Sequence, residues 1–206
     1  LMTVEQSKIA DIDKEYPHPL KLQEIMKDSA LFHATVFPLR NLKSAKGNIY
    51  DTVRHVIYDS MRNDEGGQYF ETLKWLSYKK WNGQNNNSPS FECPHCGTKV
   101  DAGIPYDQDT GICPFCGKEV LLTDMVGFHL DMNEDNAPVS VASSYMLIME
   151  MLMLFTVIRL QWLNRDQSLI SNTLFIKDGP MMLNGQYSKL VPNIREFLNY
   201  AKNQGR

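Results

Sequence analysis

Cys93-Pro-His-Cys96-Gly and Cys113-Pro-Phe-Cys116-Gly are near-copies separated by sixteen residues. No other feature constrains the fold of this chain so tightly. Each C-x-x-C turn can point two thiolates at one ion, and the glycine behind it lets backbone amides turn toward the sulfurs. Two such turns complete a tetrahedral four-sulfur site with Zn–S bonds of about 2.3 Å. The same ligands would also suit a redox-active cysteine pair or an iron centre. With all four positions filled by protein, the zinc is expected to be structural, holding together an insert at 91–120 that is too small for a core of its own. His95, between ligands, reads as an exposed knuckle residue. All the cysteines of the chain fall in these pairs, which suits a reducing cytosol better than disulfides.

The remainder has room for one medium domain: 206 residues, 43% apolar and 22% charged, an ordinary globular balance. The net charge of −3 excludes a polycation that binds nucleic acid by composition alone. Charge is uneven, however: residues 101–140 hold eight acids against Lys118, and 141–206 hold seven bases against four acids. A nucleic-acid surface in the last third is therefore permitted, with Lys177, Lys189 and Arg195 as candidate phosphate contacts. No apolar leader with basic flanks opens the chain, and the apolar run from Tyr145 to Ile158 falls short of the roughly twenty residues that span a bilayer. A cytoplasmic protein without a membrane anchor is expected.

Apolar spacing at Ile49, Val53, Val56 and Ile57 predicts a helix capped by Asn48, broken at Gly66-Gly67. A second helix is expected from Tyr69 to about Trp81, followed by a polar loop (82–90) at the insert boundary. Val120–Val126 and Thr173–Lys177 read as strands, as does Leu31–Leu39. Ser143 and Ser144 offer caps to a long helix reaching about Asn164, and an amphipathic helix follows from Leu190. The mixture of strands and helices favours an α/β domain. The organisation expected is an N-terminal part (1–90), the zinc-ribbon insert (91–120) and a C-terminal part (121–206).

Some carboxylates do not fit an apolar setting. Glu150 has four apolar residues before it and five after, which places it inside the protein, where an ionised carboxylate must be paired or bound to metal. Arg159 and Arg165 are candidate partners for a buried ion pair; the functional alternative is a metal. Asp178 closes an apolar strand and is followed by Gly179-Pro180, either a common Asp-Gly turn or a hard-cation ligand at a strand end. Asp124, after Val-Leu-Leu-Thr, is a further acid of either kind. Convergent carboxylates would hold Mg²⁺ or Mn²⁺. His129 is a structural histidine or a phosphate contact. The methionines around Glu150 read as core filling.

The segments Leu122–His129, Ser144–Arg159 and Leu174–Leu198, the last containing Asp178-Gly179-Pro180 and Gly185, resemble the NurA nuclease domain in its longer bacterial form, in which a C-x-x-C…C-x-x-C insert precedes the Thr-Asp segment. The resemblance covers roughly 31–202. It implies an RNase H-like fold, a mixed sheet flanked by helices, with a Mn²⁺ or Mg²⁺ centre that hydrolyses DNA phosphodiesters. It further implies a homodimer that docks on a HerA-type hexameric translocase in DNA end processing or antiphage defence. Asp178 matches the family's Asp-Gly metal ligand and Glu150 its helix-borne glutamate; Asp124 and His129 are possible additions. The family's Asp-Gly-Ser motif has no counterpart, since Asp-Gly occurs only at Asp178. An internal fragment, inactive by itself, is the corresponding expectation.

Two readings of different class follow. One is a metal-dependent DNA nuclease, in which Glu150 and Asp178 converge. The other is a non-catalytic zinc-ribbon scaffold that docks a translocase or DNA, in which Glu150 pairs with an arginine and no divalent-ion site forms. A zinc-ribbon transcription accessory would account for the cysteines but not for the acids.

Overall fold

A computed structural model describes residue 35 and residues 47–83, 90–100, 103–133, 139–164, 168–177 and 190–206. The chain divides into two compact units, Leu1–Ala34 and Thr35–Arg206. The first unit and the strand expected at Leu31–Leu39 lie outside the described residues, as do most of the 82–90 loop and the Asp178-Gly179-Pro180 turn. Everything below concerns the second unit.

Helix α1, Ile49–Asn63, begins where expected: the Asn48 side chain accepts the Asp51 amide at 2.9 Å and caps the first turn. Ile49, Val53, Ile57 and Met61 form its buried face. A 3₁₀ turn, Asp64–Gly67, ends it, and the positive φ of Gly66 and Gly67 (63° and 78°) lets the chain reverse. Helix α2, Gln68–Ser77, is buried over almost its whole surface. Asn193 donates to the Leu76 and Ser77 carbonyls and so satisfies the end of α2.

Helix α3, Val139–Leu163, is 25 residues long and starts upstream of the expected caps, leaving Ser143 and Ser144 within it. It is long and apolar enough to cross a bilayer, but 61% of its most apolar window is buried inside the protein. Arg159 on α3 donates to the Thr72 hydroxyl of α2 at 3.0 Å, and Thr72 and Thr156 hydroxyls meet at 2.7 Å. A short turn of helix α4, Ser168–Ser171, follows, and helix α5 runs over Leu190–Asn203. Phe197 of α5 sits among Trp75, Trp81 and Trp162, with ring centroids 4.9, 5.5 and 5.2 Å away in edge-on geometry.

The strands are few. Among the described residues there are two antiparallel pairs: β1 (Phe91–Glu92) with β2 (Lys99–Val100), and β3 (Thr110–Ile112) with β4 (Glu119–Leu121). The architecture is thus mixed helix and small sheet. Two expected strands differ. Val120–Val126 leaves the ladder after Leu121 and tightens into a 3₁₀ helix, Leu122–Val126, because the Asp124 carboxylate accepts the Leu121 amide and folds the chain back. Thr173–Lys177 has no regular secondary structure and joins no ladder among the described residues.

The ribbon does not stand apart from the helices. Phe91, Cys93, Val100, Ile104, Cys113, Val120 and Leu121 belong to the same buried apolar cluster as Val53, Leu73 and Leu152. The Tyr78 hydroxyl donates to the Ile104 carbonyl, and Lys74 and Arg62 both grip Asp109 at 3.0 Å.

Candidate metal centre

Each cysteine pair lies at the tip of a hairpin, and the two tips are built alike. Gly97 and Gly117 amides return to the Cys93 and Cys113 carbonyls, both at 2.9 Å. Their φ values of 68° and 69° lie in the left-handed region that glycine tolerates, as the glycine after each pair predicts. The Cys93 and Cys113 amides in turn reach the Thr98 and Lys118 carbonyls at 2.9 Å.

All four sulfurs lie within 4.8 Å of one another. Two approaches run across the hairpins, Cys93 to Cys116 and Cys96 to Cys113, each at 3.8 Å. A tetrahedron with metal–sulfur bonds of about 2.3 Å has edges of about 3.8 Å, so these sulfurs already stand at ligand spacing. Cys93 and Cys113 are buried, Cys116 is partly covered, and Cys96 faces solvent. Thr98 hydrogen bonds pull the Cys96 thiol down to about 6, and hydrogen bonding from the Cys116 backbone lowers Cys113. Burial pushes Cys93 up to about 12. The cluster can take a soft or borderline cation, whose charge would then hold every sulfur as thiolate.

Beneath the first knuckle, Asp124 and His95 meet residues that sequence reasoning passed over, Arg54, Asp51 and Tyr50. Arg54 is buried and forks onto Asp124, Nε to Oδ1 at 2.9 Å and Nη2 to Oδ2 at 2.7 Å. Its Nη1 donates to Asp51 at 2.8 Å and lies 3.2 Å from His95 Nε2. Burial opposes the Arg54 charge, but Asp124 and Asp51 more than offset it and raise the pKa above its ordinary value. The Tyr50 hydroxyl donates to the Pro94 carbonyl at 2.8 Å. The one available signal was positional: Arg54 falls on the core face of α1, beside Val53 and Ile57.

The expected acidic site is distributed differently from its sequence reading. Glu150 is not interior: its side chain is 45% exposed and meets the Lys177 ammonium at 3.2 Å. Helix α3 is apolar on all sides, so apolar neighbours in sequence do not tell which side faces the body. Asp124 is buried and committed to Arg54 and the Leu121 amide. His129 is also buried, and neither ring nitrogen makes a hydrogen bond of good geometry. Burial lowers its pKa, which favours the neutral ring. Lys177 is the partner of Glu150, Arg195 is exposed on α5, and Asp178 and Lys189 lie outside the described residues. Among the described residues, the cysteine cluster is the only group of three or more His, Cys, Asp or Glu side chains at ligand spacing.

No family model, curated protein or solved structure matches the chain. The NurA-like reading therefore stands on its motifs alone.

Proposed function

We propose that Cys93, Cys96, Cys113 and Cys116 hold a structural zinc ion, and that the chain is a zinc-stabilised scaffold of a NurA-like DNA-processing assembly rather than a catalytic centre in itself. The observation that carries the zinc is the pair of 3.8 Å cross-hairpin sulfur contacts. Four protein thiolates leave no open position for substrate, which makes the ion structural. The scaffold role rests on what the acids do in the structure: Asp124 neutralises Arg54, and Glu150 pairs with Lys177 rather than with the arginine that reading expected, since Arg159 donates to Thr72 and Gln68 and Arg165 lies outside the described residues. In this view the described part belongs to an RNase H-like domain of a cytoplasmic protein. Its partners would be DNA, a HerA-type translocase and a second copy of the chain.

A nuclease remains the second reading, favoured by one observation: the exposed Glu150 carboxylate is held against Lys177, the residue next to Asp178 in sequence. There, Glu150 and Asp178 would carry Mn²⁺ or Mg²⁺ to activate water and to neutralise charge on the phosphate. Metal analysis of purified chain is expected to find one zinc per molecule, lost in Cys93→Ser; a metal-free native chain overturns the zinc. Calorimetry with Mn²⁺ on zinc-loaded protein separates the two roles. Mn²⁺ binding abolished by both Glu150→Ala and Asp178→Ala, in variants that stay folded, would replace the scaffold with the nuclease.

A further inference from the structure

The two hairpins are closed against each other twice. At one end the four sulfurs converge. At the other, a ring of polar contacts joins the same hairpins through α1. Arg54 reaches His95 in the first knuckle and forks onto Asp124; Asp124 accepts the amide of Leu121, the last residue of β4. His95 Nε2 completes the ring at 2.9 Å from the Glu119 carbonyl, also on β4. A single imidazole nitrogen cannot accept from Arg54 and donate to Glu119 at once, so His95 serves one of the two closures at a time. Tyr50 adds a further tie from α1 to Pro94, between the first two cysteines.

The side chains of Arg54 and Asp124 are each only 3% exposed, so this closure is not a surface decoration. A cleft lined by Asp51, Arg54, His55, His95, Lys118 and Glu119 opens beside it. None of these ring residues supplies a ligand atom to the cysteine cluster. They fix where its two halves sit.

We propose that the Arg54–Asp124–His95 ring pre-organises the cysteine cluster, and that metal loading in return orders α1 and the Leu122–Val126 turn, making the junction a sensor of the metal state. The physical reason is that each closure lowers the entropy the other must overcome, and such coupling is reciprocal by linkage. Exposed Cys96 gives a chelator or competing metal protein a route to the ion, while the ring lies on the inner side and registers its loss. The inference rests on metal binding by the four cysteines, and Arg54, Asp124 and His95 act as positioning residues.

The test uses the zinc-loaded chain with a competing chromogenic chelator, comparing native protein with Arg54→Lys, His95→Ala and Tyr50→Phe. Arg54→Lys keeps the charge and loses the fork. Zinc affinity is expected to fall about 10- to 100-fold in Arg54→Lys and in His95→Ala, by less in Tyr50→Phe, and not at all in Lys202→Ala, an exposed control on α5. Amide exchange supplies the second readout: stripping zinc from native protein should speed exchange at residues 121–126 and in the first turn of α1, beyond the ribbon. In Arg54→Lys that remote response should vanish. Unchanged affinity in His95→Ala and Tyr50→Phe, or exchange confined to 91–120, overturns the coupling while leaving the metal site intact. Failure of the native chain to take up zinc overturns both. Should Arg54→Lys not fold, His95→Ala and Tyr50→Phe at the rim still decide the matter.

Discussion

Two surfaces of this unit meet their surroundings in opposite ways. Where the ribbon lies on α1, the buried charges are paired: Arg54 finds Asp124, Asp51 and His95, and Asp124 also takes a backbone amide. Along the outer side of α3, Met146, Leu160 and Leu163 are 64%, 50% and 60% exposed, and Leu174 and Ile176 stand 81% and 79% exposed nearby in sequence. The first surface is specified by pairwise chemistry and the second by composition alone. A charge buried on one side must find its partner or the fold fails, whereas an exposed methyl group costs the monomer little.

Asp124→Ala is the largest predicted break in that contrast. It leaves the Arg54 guanidinium buried without its fork, at an expected cost of about 3–5 kcal/mol in urea unfolding of the metal-loaded protein. Met146→Ser on the bare face should stay within about 0.5 kcal/mol. Equal costs would mean that the ribbon–α1 contact contributes no more than an open surface. Replacing Arg54 and Asp124 together by Met and Leu sharpens the point, because it removes both charges and should recover most of the loss.

His129 sets up a smaller, pH-dependent effect on the same side. Burial depresses its folded-state pKa below the ordinary 6.5, so the unfolded chain binds a proton that the folded chain refuses. Stability must therefore fall as pH drops below 6.5 and level off only beneath the folded-state pKa, with a slope of at most about 1.4 kcal/mol per pH unit from this group. His129→Leu should flatten the native curve below pH 6.5 and leave it parallel above. Identical slopes in variant and native protein would show that the ring is charged, or hydrated, in the folded state.

How far these features could be read from sequence depended on how local their causes are. The knuckles were legible because a C-x-x-C-Gly turn is decided within five residues, and α1 because Asn48 caps the turn it adjoins. Helix α5 was legible as amphipathic from Leu190, although the cage of tryptophans around Phe197 was not. The Arg54–Asp124 pair joins positions 70 apart, and neither residue type nor spacing announces such a contact. Asp124 looked like the end of a strand because the apolar run before it is strand-like. Its own carboxylate, by capping Leu121, is what stops the strand. Glu150 went the other way. A helix without a polar face has no amphipathic signal to orient it, so the sequence could not say which side of α3 lies against α2.

A small effect is also predicted for that last residue, and it tests the charged edge of the bare face. Glu150 and Lys177 form an ion pair with the acid 45% exposed, where solvent screens the attraction and two long side chains lose freedom to hold it. Glu150→Ala should therefore change unfolding free energy by less than about 1 kcal/mol, and the difference should shrink further in high salt. A glutamate buried in the core would behave otherwise, since its removal would leave an uncompensated Lys177 and cost several kcal/mol independent of salt. The comparison also bears on function, because a near-neutral Glu150→Ala is folded protein by construction. Any loss of Mn²⁺ binding it showed could not then be put down to a damaged fold, and would count fully for a metal site at Glu150.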